Sequence, residues 1–256
     1  MRALRFVFRG ARLLVITVWW YAALELGYCA SFALPRPAER RLRWRRFVMR
    51  TWCAAVCRAL AVRIEVAGES PRQPSVLVSN HLSYLDIPVL GSLYEAVFVS
   101  KAEVAQWPGV GHLATRAGTL YVDRARKREL PDVNEAIREA LARGDGVVLF
   151  PEGTSSGGGT VLPFRPSLLS AAADLGLAVH GARIAYCSGT GDPPAADCIC
   201  WWGAMPFVKH FLRLLTLSGI HVRVAFAADP ATAKDRKLLA ELLWHGVVAA
   251  PHPPRT

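Results

Sequence analysis

"SVLVSNHLSYLDIP", Ser75 to Pro88, is an apolar run that stops at polar residues and then resumes in a helical pattern. Its opening "SVLVS" reads as a short buried strand, because β-branched residues follow one another without a break. His81 comes just after that strand, and Asp86 stands five positions further on. On a single ideal helix five positions amount to about 140° of rotation, so the two side chains would not share a face. They meet if His81 sits where the strand ends and Asp86 sits in the first turn of the next helix, pointing back. Asn80 or Ser83 would then cap that helix. In this arrangement the carboxylate accepts from one ring nitrogen and leaves the other to take a proton. The spacing also arises by chance, so its meaning depends on the surrounding stretches.

Working outward, "VRIEV", "EAVFVS", "TLYV", "GVVLF", "GARIAY" and "VRVAFA" read as further strands. "LPDVNEAIREALARG", "PFRPSLLSAAADLG" and "KDRKLLAELLWHG" read as helices closed by Gly144, Gly176 and Gly246. Strands alternating with helices of this length predict an α/β domain over residues 62–256, with a largely buried central sheet. Ligands in such sheets gather where strands end in polar or glycine-rich loops. The tail "APHPPRT" reads as a frayed end.

The 256-residue chain carries a formal net charge of +11 and is 52% hydrophobic. Positive charge favours nucleic acid, an anionic membrane or anionic small substrates. Zinc-finger spacing and a convincing stacking platform are missing, and "SSGGGT" lacks the P-loop lysine, so a nucleic-acid partner is not expected. The six cysteines complete no four-ligand metal set and read as small, buried and reduced.

Residues 1–61 predict a basic, apolar, membrane-associating helical region. Arg2, Arg5, Arg9 and Arg12 precede an apolar run of bilayer-spanning length that holds "VWWY" and is interrupted by Glu25. Arg40, Arg41, Arg43, Arg45 and Arg46 then crowd the start of a second helical segment. Basic clusters beside apolar helices are drawn to anionic lipid, by roughly 1 kcal/mol per charge near the surface. The two segments form either a hairpin dipping into one leaflet or a spanning helix followed by an interfacial one.

Two further stretches carry candidate site residues. In "RAGTLYVDR", Gly118 leads into a strand and Arg124 follows it, where a guanidinium can fork onto a phosphate or carboxylate. In "GVVLFPEGTSSGGGTVLPFRPSLL", Pro151 stiffens the strand exit and Gly153 lets backbone approach a ligand. Glu152 can bind a hydroxyl or hold a basic side chain, Thr154 follows it, and Arg165 lies close to the next helix start.

Together these stretches resemble the glycerolipid acyltransferases, the group that includes 1-acylglycerol-3-phosphate acyltransferases. The first family block, Asn-His, four residues, Asp, is similar to Asn80 through Asp86; the second to Gly118 through Arg124; the third to Phe150 through Ser155. The resemblance covers roughly Val62 to Tyr186. It implies an α/β fold preceded by N-terminal membrane-associated helices, at the cytoplasmic side of a bacterial inner membrane. It implies His81 as general base, Asp86 as its orienter, and Arg124 and the Glu152–Gly153–Thr154 turn as acceptor-binding residues. The acyl donor is expected to be acyl-CoA or an acyl-carrier protein, with no bound cofactor and no metal. 1-Acylglycerol-3-phosphate is the leading acceptor, with lyso-ornithine lipid or another lysophospholipid as the alternative. A non-catalytic membrane-associated lipid-binding protein is a further alternative. Two departures bear on the acceptor: His180-Gly181 stands where a proline is usual, and "LPFRPSLL", with Arg165, resembles the lyso-ornithine branch.

Overall fold

The computed structural model describes residues 2–33, 35–107, 109–122 and 130–251. Two helices, α1 (Arg2–Ser31) and α2 (Pro37–Ala59), precede β1 (Val62–Ala67), β2 (Val76–Ser79), α3 (Asp86–Leu93) and β3 (Ala96–Lys101). Then come α4 (Val110–Ala117), β4 (Leu120–Val122), α5 (Leu130–Ala142), β5 (Gly146–Leu149), α6 (Ser170–Asp174) and β6 (Val179–Ser188). The chain continues through α7 (Ala195–Cys198), α8 (Phe207–Leu214), β7 (Ile220–Phe226) and α9 (Arg236–Ala249).

The strands form one mixed sheet in the order β1-β7-β6-β2-β5-β3-β4, antiparallel only between β6 and β7. Every residue of β2 and β5 is buried, as unbroken apolar strands flanked on both faces must be. Edge strand β1 instead alternates between half-buried and exposed positions for most of its length. β2, β5, β3 and β4 run parallel, so the polar loops after them open along one edge.

All seven strands expected from the sequence are present, and the helices differ in instructive ways. Gly144 and Gly176 take φ +80° and +61°, the left-handed conformation that ends a helix. Gly246 does not end α9, which runs on to Ala249. Its neighbour Val247 packs so closely on β6 that a Cβ on Gly181 would lie 3.0 Å from the valine side chain. The helix expected over "PFRPSLLSAAADLG" is a 3-10 turn at Pro166–Leu168 and then the short α6, since Leu169 leaves the helical region at φ −107°. α4 and α8 were hidden by their length, eight residues each, which is too short for periodicity to register.

α1 and α2 pair antiparallel: Trp20 bonds Thr51, Trp52 bonds Thr17, and Trp44 bonds the Ala23 carbonyl. α1 is the apolar, membrane-associated helix, and the residues buried along it are Arg9, Leu24 and Ser31. Leu4, Val7, Phe8, Val15, Val18, Trp19 and Leu26 form its exposed stripe. Its other face is fastened to the α/β body. Arg9, 6% exposed, donates to the Leu215 and Leu217 carbonyls at 3.4 and 2.7 Å, and Glu25 pairs with Arg116 at 2.9 Å. Glu25, which interrupts the apolar run in sequence, is thus an anchoring residue.

Only part of the basic cluster on α2 is available to lipid. Arg45 and Arg46 turn inward and share Asp145, which is 1% exposed, at 2.7 and 2.8 Å. Val56, Cys57 and Leu60 belong to the same buried cluster as Leu77 and Ile184 of the sheet. All six cysteines are free; Cys53, Cys57, Cys198 and Cys200 are buried as expected, whereas Cys29 and Cys187 are exposed.

Candidate active site

β2 ends at Ser79, and the chain turns so that His81 faces the first residue of α3, Asp86. His81 Nδ1 lies 2.7 Å from Asp86 Oδ2. The His81 ring stacks on Phe150 at a centroid distance of 4.2 Å and an interplanar angle of 20°. Asp86 has no exposed surface, so its carboxylate has to be satisfied by protein donors. The Leu82 and Ser83 N–H groups donate to Oδ2 at 2.7 and 3.0 Å, and the Tyr186 hydroxyl donates to Oδ1 at 2.8 Å. With Nδ1 bonded to Asp86, Nε2 is the ring atom left to take a proton from a reacting group.

Neither Asn80 nor Ser83 caps α3 through its side chain. The α3 start is held by the Asp86 carboxylate reaching back to the preceding N–H groups. Asn80 is buried and clamps β2 to β6, donating from Nδ2 to the Ile184 carbonyl at 2.9 Å and accepting from the Ile184 N–H at 2.7 Å. That clamp sets the position of Tyr186, two residues further along the same strand.

Glu152 is not exposed to an acceptor. It is 2% exposed and accepts from the His81 N–H at 3.2 Å and the Leu162 N–H at 2.9 Å. It therefore ties the histidine backbone to the glycine-rich loop. Burial pushes its pKa up to about 7, against the opposing effect of those two N–H donors. Because the folded pKa lies above the usual 4.5, the folded state holds a proton that the unfolded state has lost between these values. The Glu152 contribution to stability therefore falls as pH rises from about 4.5 to about 7. Relative to Glu152→Gln, the wild type should lose up to about 3 kcal/mol across that window in urea unfolding. A difference that stays constant over the window would contradict this.

Gly153 takes φ +73°, and Thr154 is exposed and lines the cavity described below. Pro151 is buried, and its carbonyl accepts the Arg165 N–H at 2.8 Å. The exposed Arg165 is not among the residues lining that cavity. Gly118 takes φ +88° and closes α4, and a Cβ there would collide with the Arg45 guanidinium. Arg124 lies outside the described residues.

His81 opens onto a cavity of about 750 Å³, lined overwhelmingly by apolar side chains. Tyr84, Trp201 and Phe207, whose rings contact one another, line it, and Thr17, Trp20 and Leu24 of α1 also contribute. The membrane-associated helix is thus a wall of the chamber, a role its sequence did not disclose. Charged residues of both signs also line it: Arg45, Arg46, Arg50 and Lys101, with Glu95, Glu103 and Asp145.

Tyr186 is the main site residue that sequence reading missed. The signal was present in "GARIAY", where Ala182, Ile184 and Tyr186 occupy the same buried face of a strand, and a buried phenol requires an acceptor. Burial first, then the Asp86 charge, raises its pKa well above 10, so it stays a donor. Tyr186→Phe should lower stability by about 1.5–3 kcal/mol, the usual worth of a hydrogen bond to a charge. It should also lower kcat with little change in KM, because the phenol touches Asp86 and no substrate. An unchanged kcat would remove Tyr186 from the dyad's support.

A buried carboxylate, an oriented imidazole and a deep apolar chamber define a site that can deprotonate a hydroxyl beside a lipid chain. A family model described as Acyltransferase matches residues 62–185. The chain is 39% identical to the lyso-ornithine lipid O-acyltransferase of Pseudomonas aeruginosa, over 94% of this chain and 91% of that protein. It is 31% identical to the 1-acyl-sn-glycerol-3-phosphate acyltransferase of Neisseria meningitidis, over 76% of each. The crystal structure of the 1-acyl-sn-glycerophosphate acyltransferase of Thermotoga maritima has the same fold, with TM-score 0.57, 22% identity, and coverage of 93% of this chain and 95% of that one. This protein belongs to the acyltransferase family.

Proposed function

We propose that the protein transfers a fatty acyl group from an acyl thioester, acyl-CoA or an acyl-carrier protein, to the free hydroxyl of a lysolipid. The observation that carries this is the His81–Asp86 pair, 2.7 Å apart, opening on a 750 Å³ apolar chamber. His81 Nε2 takes the hydroxyl proton as the oxygen attacks the thioester carbonyl. Asp86 supports the imidazolium that forms. The tetrahedral intermediate collapses, the C–S bond breaks, and the proton passes from His81 to the departing thiolate, leaving an ester and a free thiol.

Lyso-ornithine lipid is the acceptor we place first, and 1-acylglycerol-3-phosphate second. The relative named for lyso-ornithine lipid aligns over 94% of this chain, against 76% for the Neisseria relative. The two sequence departures carry less weight on this point. Gly181 serves the packing of α9, and the Arg165 side chain is outside the cavity lining. The 1-acylglycerol-3-phosphate acceptor keeps support from the Neisseria relative.

Placement at the membrane follows from α1. Arg9 and Glu25 fasten opposite halves of the helix to the same α/β body, which suits a helix lying in one leaflet better than one crossing both. The active site then faces the cytoplasmic side of a bacterial inner membrane, where acyl thioesters are found. The test is kcat/KM for both acceptors with one acyl donor held constant. We expect preference for lyso-ornithine lipid; a clear preference for 1-acylglycerol-3-phosphate would reverse the order, and turnover of neither would overturn the proposal.

A further inference from the structure

α8 is strongly two-faced. Phe207 and Phe211 line the chamber onto which His81 opens, while Val208 and Leu212, one turn apart, are 65% and 43% exposed. Trp202, 43% exposed, both lines the chamber and reaches solvent. Lys209 and Arg213 are also exposed on the helix. Exposed apolar side chains one turn apart and flanked by cations are what a helix lying in a lipid interface presents.

The neighbourhood of this face says what covers it. The carbonyls of Leu215, Thr216 and Leu217, immediately after α8, receive Arg9 and Arg5 from α1. Leu13 and Ile16 of α1 pack on the same core cluster as Phe211. The end of α8 is therefore fixed to the N-terminal half of α1, the part whose outer stripe includes Leu4, Val7 and Phe8.

We propose that α8, with Trp202, is a second membrane-contacting element: Val208 and Leu212 insert into the same bilayer surface as α1 and bring the chamber mouth against the lipid. This rests on the lysolipid reading for its purpose, because a mouth held at the bilayer lets an acceptor chain enter without crossing water. The docking itself does not depend on which acceptor is used.

The experiment compares wild type with Val208→Glu/Leu212→Glu and with the uncharged Val208→Ser/Leu212→Ser. Binding is measured by cosedimentation with phosphatidylcholine–phosphatidylglycerol vesicles. Activity is measured with a vesicle-borne long-chain lysolipid and with a short-chain lysolipid soluble as monomer. Both double variants should bind vesicles about tenfold more weakly, the glutamate pair most. KM for the vesicle-borne acceptor should rise, while kcat for the soluble acceptor stays at the wild-type value. Should the glutamate pair impair folding, the serine pair decides. Unchanged vesicle binding would overturn the proposal, as would a change in oligomeric state by sedimentation, which would assign the face to a second copy of the chain. Failure of the lysolipid reading would appear separately, as absent turnover of both acceptors by a wild type that still binds vesicles.

Discussion

Replacing His81 with alanine should lower kcat by roughly 10²–10⁴-fold, the usual contribution of a positioned general base. The protein should stay folded and bound to membrane. The structure explains why the second outcome accompanies the first. Asp86 loses one of its donors, but the Leu82 and Ser83 N–H groups and the Tyr186 hydroxyl still hold the buried carboxylate. The Phe150 ring loses its stacking partner at the edge of an already open chamber. KM for the lysolipid should change little, because the chain-binding walls come from α1, α8 and their neighbours. Near-normal turnover in a folded variant would show that the proton goes elsewhere.

Asp86→Asn should be as severe for activity and worse for the fold. The carboxylate takes donors at both oxygens, from the His81 ring, two backbone N–H groups and the Tyr186 hydroxyl. An amide offers only one accepting atom, so at least one donor with little or no exposure would face an NH₂ group. Leaving a buried polar group unsatisfied costs about 1–3 kcal/mol, and more for a charged partner. Whichever way the amide turns, either the loop that presents His81 or the Tyr186 contact from β6 is disturbed. Thermal unfolding should show the loss of stability, and single-turnover kinetics the loss of chemistry. Wild-type stability together with wild-type turnover would defeat the role assigned to the aspartate.

The contact between His81 and Asp86 was legible because the β-branched run shows where β2 ends, although α3 starts at Asp86 itself and not after an Asn80 or Ser83 cap. The buried strands were legible for the same reason: Val76 to Ser79 and Gly146 to Leu149 are apolar or small throughout. The supporting contacts were not, since they join residues far apart in the chain. Tyr186 lies one hundred positions from Asp86, and Asn80 meets Ile184 across a comparable distance. Glu152 illustrates the opposite hazard. A carboxylate in a glycine-rich loop reads as exposed and ligand-facing, but the fold turns it inward onto the His81 and Leu162 N–H groups. Arg45 and Arg46 mislead similarly, because a run of arginines looks solvated until Asp145 is seen buried between them.

The most direct measurement supplies purified wild-type protein and His81→Ala in lipid vesicles with one defined acyl thioester and each lysolipid in turn. Products are identified by mass spectrometry, and released thiol is counted. The account predicts one thiol released per diacylated lipid formed by the wild type, and both products formed roughly 10²–10⁴-fold more slowly by His81→Ala. Diacylated lipid formed at equal rates by both proteins, or thiol released by the wild type with no new ester, would contradict it.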